Sequence, residues 1–258
     1  MTPVDDPTLT FQCLALKGVT GANARSQVFP DEVHVWGFSL ESDDEVLAWA
    51  HDCLSPDERE RAQRLVSGRH RREFMIAHSA LRLVLSRYCD QRPQNLVFQK
   101  TASGKPFLPW FTDDHNGIQF NLTHSHGRAL IAVGNGRGVG VDLEKIRCQV
   151  DVVSLAKRFF SDQDQEFIEA GDLSERHERF LRVWVAMESR FKTEGTGIVF
   201  PLHRDHLELS MDGKGGRLIR TGPRLEKTDT SIRFLPLESG WVGAVAAEGS
   251  DWRVTLCR

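Results

Sequence analysis

The chain has 258 residues, enough for one large domain or two smaller ones. With 40% hydrophobic and 27% charged residues and a net charge of −3, it has the balance of a folded soluble protein, and nothing global draws it to nucleic acid. Five scattered cysteines, never spaced C-x-x-C, argue against a disulfide framework or a zinc knuckle, and the acidic opening MTPVDDPTLTFQ and the absence of a ~18-residue apolar run predict a cytoplasmic protein with no membrane partner.

After thirty irregular residues, VHVWGFSL (Val33 to Leu40) alternates Val33, Val35 and Gly37 against His34, Trp36 and Phe38, which predicts a buried strand. In LSPDERERAQRL, Ser55 as N-cap, Pro56 at the first helical position and Glu58 three residues after the serine predict a capping-box helix, with Gly68 as its stop. Phe74, Ala77, Leu81, Val84, Leu85 and Tyr88 recur at three- and four-residue steps and predict a second, core-facing helix. TASGKPFLP is turn chemistry, and FNLTHS with ALIAVG predicts a hairpin around Gly127. After NGRG the order repeats: a strand at VGVDLE, helices over about 152–160 and 175–194, then short strands near SIRFLPLE and WVGAVAAE. The expected fold class is α+β, with two pseudo-symmetric α/β halves at 1–135 and 136–258 and the site in the cleft between them. A single meander running through NGRG is the competing arrangement.

A strand through VGVDLE points Val139, Val141 and Leu143 to one side and Gly140, Asp142 and Glu144 to the other. Two carboxylates ~6.5 Å apart repel by about 2.5 kcal/mol at an effective dielectric of ~20, a cost that a bound cation reverses. All-oxygen ligands suit magnesium, although a solvated edge with two independent acids is the plainer reading of so short a motif. In SERHERFLRVWVAMESRFKTEGTG, Phe180, Trp184, Met187 and Phe191 form an apolar stripe and Gly195 supplies the stop. Glu188 lies beside the stripe, four residues before Lys192, and an i,i+4 ion pair is the plainer reading of those two. Arg59, Arg61, Arg64, Arg69, Arg71 and Arg72 alternate with Glu58, Glu60 and Glu73; such runs are mostly solvated helix faces, though some members can bind phosphate. Lys105 in SGKPF and Thr123 and His124 in NLTHS sit at a turn and a strand end, where a scaffold fixes binding groups. His124 and His126 lack a third ligand at a useful spacing, which argues against zinc.

In order and spacing, LSPDERERAQRL, RHRREFMIAHSALR, GKPFLP, FNLTHSHG, GVGVDLEKIR, AKRFFS and WVAMESRFKTEGTG, from about residue 54 to residue 200, together resemble the Sfp-type 4′-phosphopantetheinyl transferase family. The resemblance implies that family's fold and its reaction: transfer of the 4′-phosphopantetheine arm of coenzyme A to a serine of an apo acyl or peptidyl carrier protein, with 3′,5′-ADP as the other product. It implies Asp142, Glu144 and Glu188 as ligands of magnesium, and Lys192 on the coenzyme A pyrophosphate. It also implies Thr123 and His124 on the 3′-phosphate, Lys105 in the nucleotide site and Arg61 near that phosphate. Glu188 is the expected catalytic base for the serine. Two positions depart from the family pattern: Met187 stands where a lysine is usual, and Thr123 where serine is more frequent. Met187 falls naturally into the apolar stripe. A non-catalytic coenzyme A or carrier-binding module and a magnesium-dependent phosphohydrolase are the alternative readings. Two fused halves make a monomer sufficient.

Overall fold

The computed structural model describes residues 8–13, 26–89, 91–109, 117–195, 197, 202, 205–220 and 230–257. Along the chain run β1 (Gln12–Cys13), β2 (Glu32–Ser39), α1 (Asp44–Cys53), α2 (Pro56–Arg64), α3 (Gly68–Ser86), β3 (Gln99–Lys100), β4 (Pro106–Phe107), β5 (Ile118–Ser125) and β6 (Arg128–Asn135). There follow β7 (Val139–Lys145), α4 (Val152–Phe159), α5 (Asp162–Glu169), α6 (Glu175–Glu194), β8 (Asp205–Leu209), β9 (Gly215–Arg220), β10 (Thr230–Phe234), β11 (Trp241–Glu248) and β12 (Arg253–Cys257).

The strands build two five-stranded sheets, one in the order β1-β2-β6-β5 with β12 also beside β2, the other β7-β11-β10-β9-β8. Each sheet repeats one motif: an opening strand, then helices, then a last strand that returns antiparallel to the opening strand and pairs on its far side with the strand before it. This gives β2-β6-β5 in the first sheet and β7-β11-β10 in the second. The fold is α+β with two related halves, and the meander does not form, because β6 and β7 lie in different sheets. The C-terminal strand β12 crosses back and runs parallel to β2.

Strand periodicity sorts side chains into layers. Val33 and Val35 of β2 with Leu130 and Ala132 of β6 meet Val139, Val141 and Leu143 of β7 and Val245 and Ala247 of β11, forming an apolar layer between the sheets. The alternate residues Trp36, Phe38, Ile131 and Val133 face α3 through Ile76, Ala77, Ala80, Leu81 and Val84. On the second sheet, Val242, Ala244 and Ala246 pack against Val183, Ala186 and Met187 of α6. The resulting order is helix, sheet, sheet, helix.

Local signals set several of these elements. Ser55 Oγ accepts from Glu58 N (3.3 Å) and Glu58 Oε2 accepts from Ser55 N (3.0 Å), the expected capping box. Helix α6 spans the expected residues, and Gly195 ends it at φ +70°, a conformation that favours glycine. Gly68, expected to stop α2, instead opens α3. Helix α2 ends at Arg64, and the Ser67 hydroxyl caps α3 by accepting from His70 N at 3.3 Å. A serine cap next to a glycine marks a start more strongly than the glycine marks an end. Tyr88 lies past the end of α3, where its hydroxyl accepts from Trp36 Nε1 (3.0 Å) and pairs with His34 Nδ1 (2.8 Å). Helices α1 and α5 and strands β8, β9 and β12 were not legible as separate elements from pattern alone.

Helix α6 lies directly on β7 at Gly140. A Cβ there would stand 2.0 Å from Ser189 O and 2.5 Å from Thr193 N, both backbone atoms. Gly140→Ala is therefore expected to lift α6 off the strand and to cost at least the ~1–3 kcal/mol of an overpacked core. Urea unfolding of the variant checks this, and a loss below about 0.5 kcal/mol would mean that the helix yields freely.

Candidate active site

Strand β7 is an edge of its sheet and β5 an edge of the other, and the two edges lie side by side. An edge strand leaves every second N–H and C=O without a ladder partner, and in a buried place each needs one. Side chains meet this need on β7. Lys105 Nζ donates to Val139 O (3.0 Å) and to Thr193 O of α6 (2.8 Å). Asn121 Oδ1 of β5 accepts from Val141 N (3.0 Å), and Lys192 Nζ of α6 donates to Val141 O (3.3 Å). Lys105 and Lys192 thus hold carbonyls two residues apart, about 7 Å along the strand.

Val139, Val141 and Leu143 are turned into the inter-sheet core, and Gly140, Asp142 and Glu144 face α6. Asp142 is 4% exposed. Its Oδ1 receives Lys192 Nζ at 2.6 Å and the Thr123 hydroxyl at 3.0 Å, while Lys192 Nζ is also 3.1 Å from Thr123 Oγ1. Asp142 Oδ2 is buried with no hydrogen-bond partner among the described residues. Glu144 Oε2 accepts from Ser125 Oγ at 2.9 Å. Burial and the charge of Asp142 hold the Glu144 carboxyl above the usual range. Burial likewise pushes Glu188 up, with Lys192 opposing and with Asp142 and Glu144 adding repulsion. Lys192 turns to Asp142 rather than to Glu188, and among the described residues Glu188 has no hydrogen bond or ion pair.

The structure thus gathers Asp142, Glu144, Glu188, Lys192 and Thr123, and sets His124 on another side. Successive residues of β5 face opposite ways. Thr123, 6% exposed, and Ser125 face the acids, whereas the exposed His124 faces α3, with His78, Glu73 and His70 of that helix and Lys192 as its charged neighbours. Part-burial, then the charges of His78, Lys192 and His70, hold the His124 ring below the usual histidine range. Arg61 is exposed on α2, its guanidinium 5.3 Å from the centre of the Phe74 ring. Of the other arginines in that run, Arg64, Arg69 and Arg72 pair with Glu60, Glu73 and Asp44 as solvated helix faces do. Met187 is fully buried in the α6 core, so its departure from lysine is a matter of packing. Ser125 and Asn121 were missed in the sequence, although Ser125 is two residues from Thr123 and so on the same strand face.

A cavity of about 280 Å³ opens beside Glu144 and is walled by Leu155, Phe159, Phe180 and Trp184, with Arg147 and His177 at its margin. A larger one of about 520 Å³, bounded by Leu9, Arg182, Phe234 and Leu256, touches none of the acids.

Three carboxylates and a lysine gather where β7, β5 and α6 meet. Comparison with known proteins specifies the class. Residues 138–257 match the 4′-phosphopantetheinyl transferase superfamily, and residues 41–135 match the family described as 4′-phosphopantetheinyl transferase, N-terminal. The chain is 33% identical over 224 residues to the 4′-phosphopantetheinyl transferase HetI of Nostoc sp. (strain PCC 7120), covering 86% of this chain and 90% of that protein. It is 30% identical over 161 residues to 4′-phosphopantetheinyl transferase Sfp of Bacillus subtilis (strain 168), covering 62% and 69% of the two. With the L-aminoadipate-semialdehyde dehydrogenase-phosphopantetheinyl transferase of Homo sapiens it shares 27% identity over 164 residues, 61% of this chain and 53% of that one. The chain belongs to the 4′-phosphopantetheinyl transferase superfamily.

The Lys105 clasp carries its own pH signature. Burial lowers the Lys105 ammonium to about 8, with Glu248 opposing. Between about pH 8 and its ordinary 10.5, the unfolded chain holds a proton that the folded chain has released, so this group makes stability rise with pH in that window. The stability difference between the parent and Lys105→Met is expected to shift in the parent's favour from pH 8 to pH 10.5, read by urea unfolding without ligand. A difference that stays flat would show that the ammonium is not buried.

Proposed function

We propose that this 4′-phosphopantetheinyl transferase takes the arm from coenzyme A and places it on a serine of an apo acyl or peptidyl carrier protein, with magnesium held by Asp142, Glu144 and Glu188. The observation that carries this reading is the acid cluster, above all the buried Asp142 Oδ2, which no group among the described residues satisfies. Among the described residues no three His, Cys, Asp or Glu side chains form a ready metal-holding group. Magnesium does not need one, since it takes one or two carboxylates and completes its shell with water and substrate phosphates. When bound, it supplies positive charge against the pyrophosphate oxygens.

The chain's own residues do the rest. Lys192, fixed by Asp142 and Thr123, presents an ammonium to the pyrophosphate, and Thr123 holds this pair in place. Glu188, unpaired and with its carboxyl pushed up by burial, is the stronger base for it and accepts the proton of the carrier serine. The serine oxygen bonds to the phosphorus on the pantetheine side of the pyrophosphate, and the bond to the bridging oxygen breaks, releasing 3′,5′-ADP. His124 and Arg61 receive the 3′-phosphate, and Lys105 braces the nucleotide end of the seam. Residues 1–135 and 136–258 act as two halves of one site in a cytoplasmic monomer. Among the described residues no helix is long and apolar enough to cross a membrane.

Two variants test the assignment through the intact mass of an apo carrier protein incubated with coenzyme A and magnesium. Asp142→Ala is expected to abolish the phosphopantetheine-sized gain at any magnesium concentration, and near-parent transfer would take β7 out of the site. Glu188→Gln keeps shape but loses charge and basicity. Its single-turnover rate at saturating coenzyme A should fall by the ~10²–10⁴-fold typical of general-base removal. A rate within a few-fold of the parent would remove Glu188 from the chemistry.

A further inference from the structure

A buried charged chain links α2 and α3 to the segment before β3. Arg82, 1% exposed, donates Nε to Glu58 Oε2 at 2.7 Å and Nη1 to Pro93 O at 3.0 Å and Leu96 O at 2.9 Å. The other oxygen of Glu58, Oε1, lies 3.1 Å from Nδ1 of His78. Burial works to raise the Glu58 carboxyl, but the His78 hydrogen bond, the Arg82 charge and the Ser55 N–H overcome it and bring it down to about 2. Glu58 is therefore an anion that only accepts, so Nδ1 of His78 carries the hydrogen and Nε2 is the ring's remaining polar atom. Phe74 fixes the plane of the ring by stacking on it, with centroids 4.0 Å apart and planes at 29°, and the same Phe74 carries the Arg61 guanidinium.

His78 and Arg61 thus share one stack on the α2–α3 face. His78 is also one of the charged neighbours of the exposed His124, with His70 and Glu73 of α3 and Lys192 of α6. Capping a helix does not require Glu58 to reach a histidine on α3 or an arginine one turn further on. That arrangement aims an imidazole.

We infer that His78 is a specificity-determining residue of the 3′-phosphate site, a second imidazole beside His124, with Glu58 and Arg82 as the positioning residues that aim its Nε2. This rests on the coenzyme A reading above and deepens it. Glu58 on Nδ1 holds the ring in line, so that a phosphate oxygen arriving at Nε2 makes a charge-assisted hydrogen bond with it. A terminal phosphate dianion is a stronger partner for that nitrogen and for the Arg61 guanidinium than a hydroxyl is, so the site prefers the phosphate.

Calorimetric titration of the full chain with coenzyme A and with 3′-dephospho-coenzyme A tests this. His78→Ala is expected to weaken coenzyme A by about tenfold or more, the scale of one charge-assisted hydrogen bond, and to leave 3′-dephospho-coenzyme A within about twofold. Glu58→Gln keeps the cap acceptor but loses the charge, and should narrow the preference between the two ligands in the same direction. His78 is partly exposed and its loss leaves the Arg82–Glu58 pair intact, so the first variant does not depend on the second one folding. If His124→Ala discriminates between the ligands and His78→Ala does not, the inference falls and the coenzyme A reading stands. If the parent binds neither ligand, or binds both equally, the 3′-phosphate reading falls and this inference with it.

Discussion

The site depends on the free edge of β7. That strand is buried enough that its outward backbone groups need partners, yet its sheet ends there. Lys105, Asn121 and Lys192 reach it from three other elements, so the hydrogen bonds that close the edge also locate two lysines and lock α6 and β5 against the strand. Gly140 permits the approach of α6, because any side chain there would meet the helix backbone. The signature glycine, the aspartate two residues later and the helix lysine answer to one constraint.

Charge at this edge is balanced but not fully satisfied. Lys192 neutralises one oxygen of Asp142 and leaves the other buried without a partner among the described residues, while burial, and then the charge of the neighbouring acids, raises Glu144 and Glu188. Removing one member of a buried pair is costly, because the remaining charge loses its partner. Burial raises the Glu188 carboxyl first, and the same field adds to it.

The two-residue period of β5 divides the work between layers. Thr123 and Ser125 look toward the acids and support them, and His124 looks toward α3, where His78 is held by Glu58 and Arg82. One strand of the first half therefore presents polar groups to both layers, with β7 and α6 supplying the acids. The apolar layer between the sheets keeps this alignment rigid.

Sequence by itself determined what short-range chemistry decides. The capping box of α2, the full length of α6 with its glycine stop, the β5–β6 hairpin and the outward face of Gly140, Asp142 and Glu144 follow from local hydrogen bonds and from periods of 3.6 and 2. The family motifs marked the candidate acids and basic groups by order and spacing alone. Tertiary structure decided which partner each polar group takes. Lys192 could have paired with Glu188 one turn away on its own helix, but Asp142 lies in a drier place where an ion pair is stronger. Glu58 reads in sequence as a helix cap, and only the packing of α2 on α3 shows that it also binds Arg82 and His78 across 24 and 20 residues. The pairing of β12 with β2 was likewise invisible in the sequence, since non-local strand pairing leaves no periodic mark on the segment that joins late.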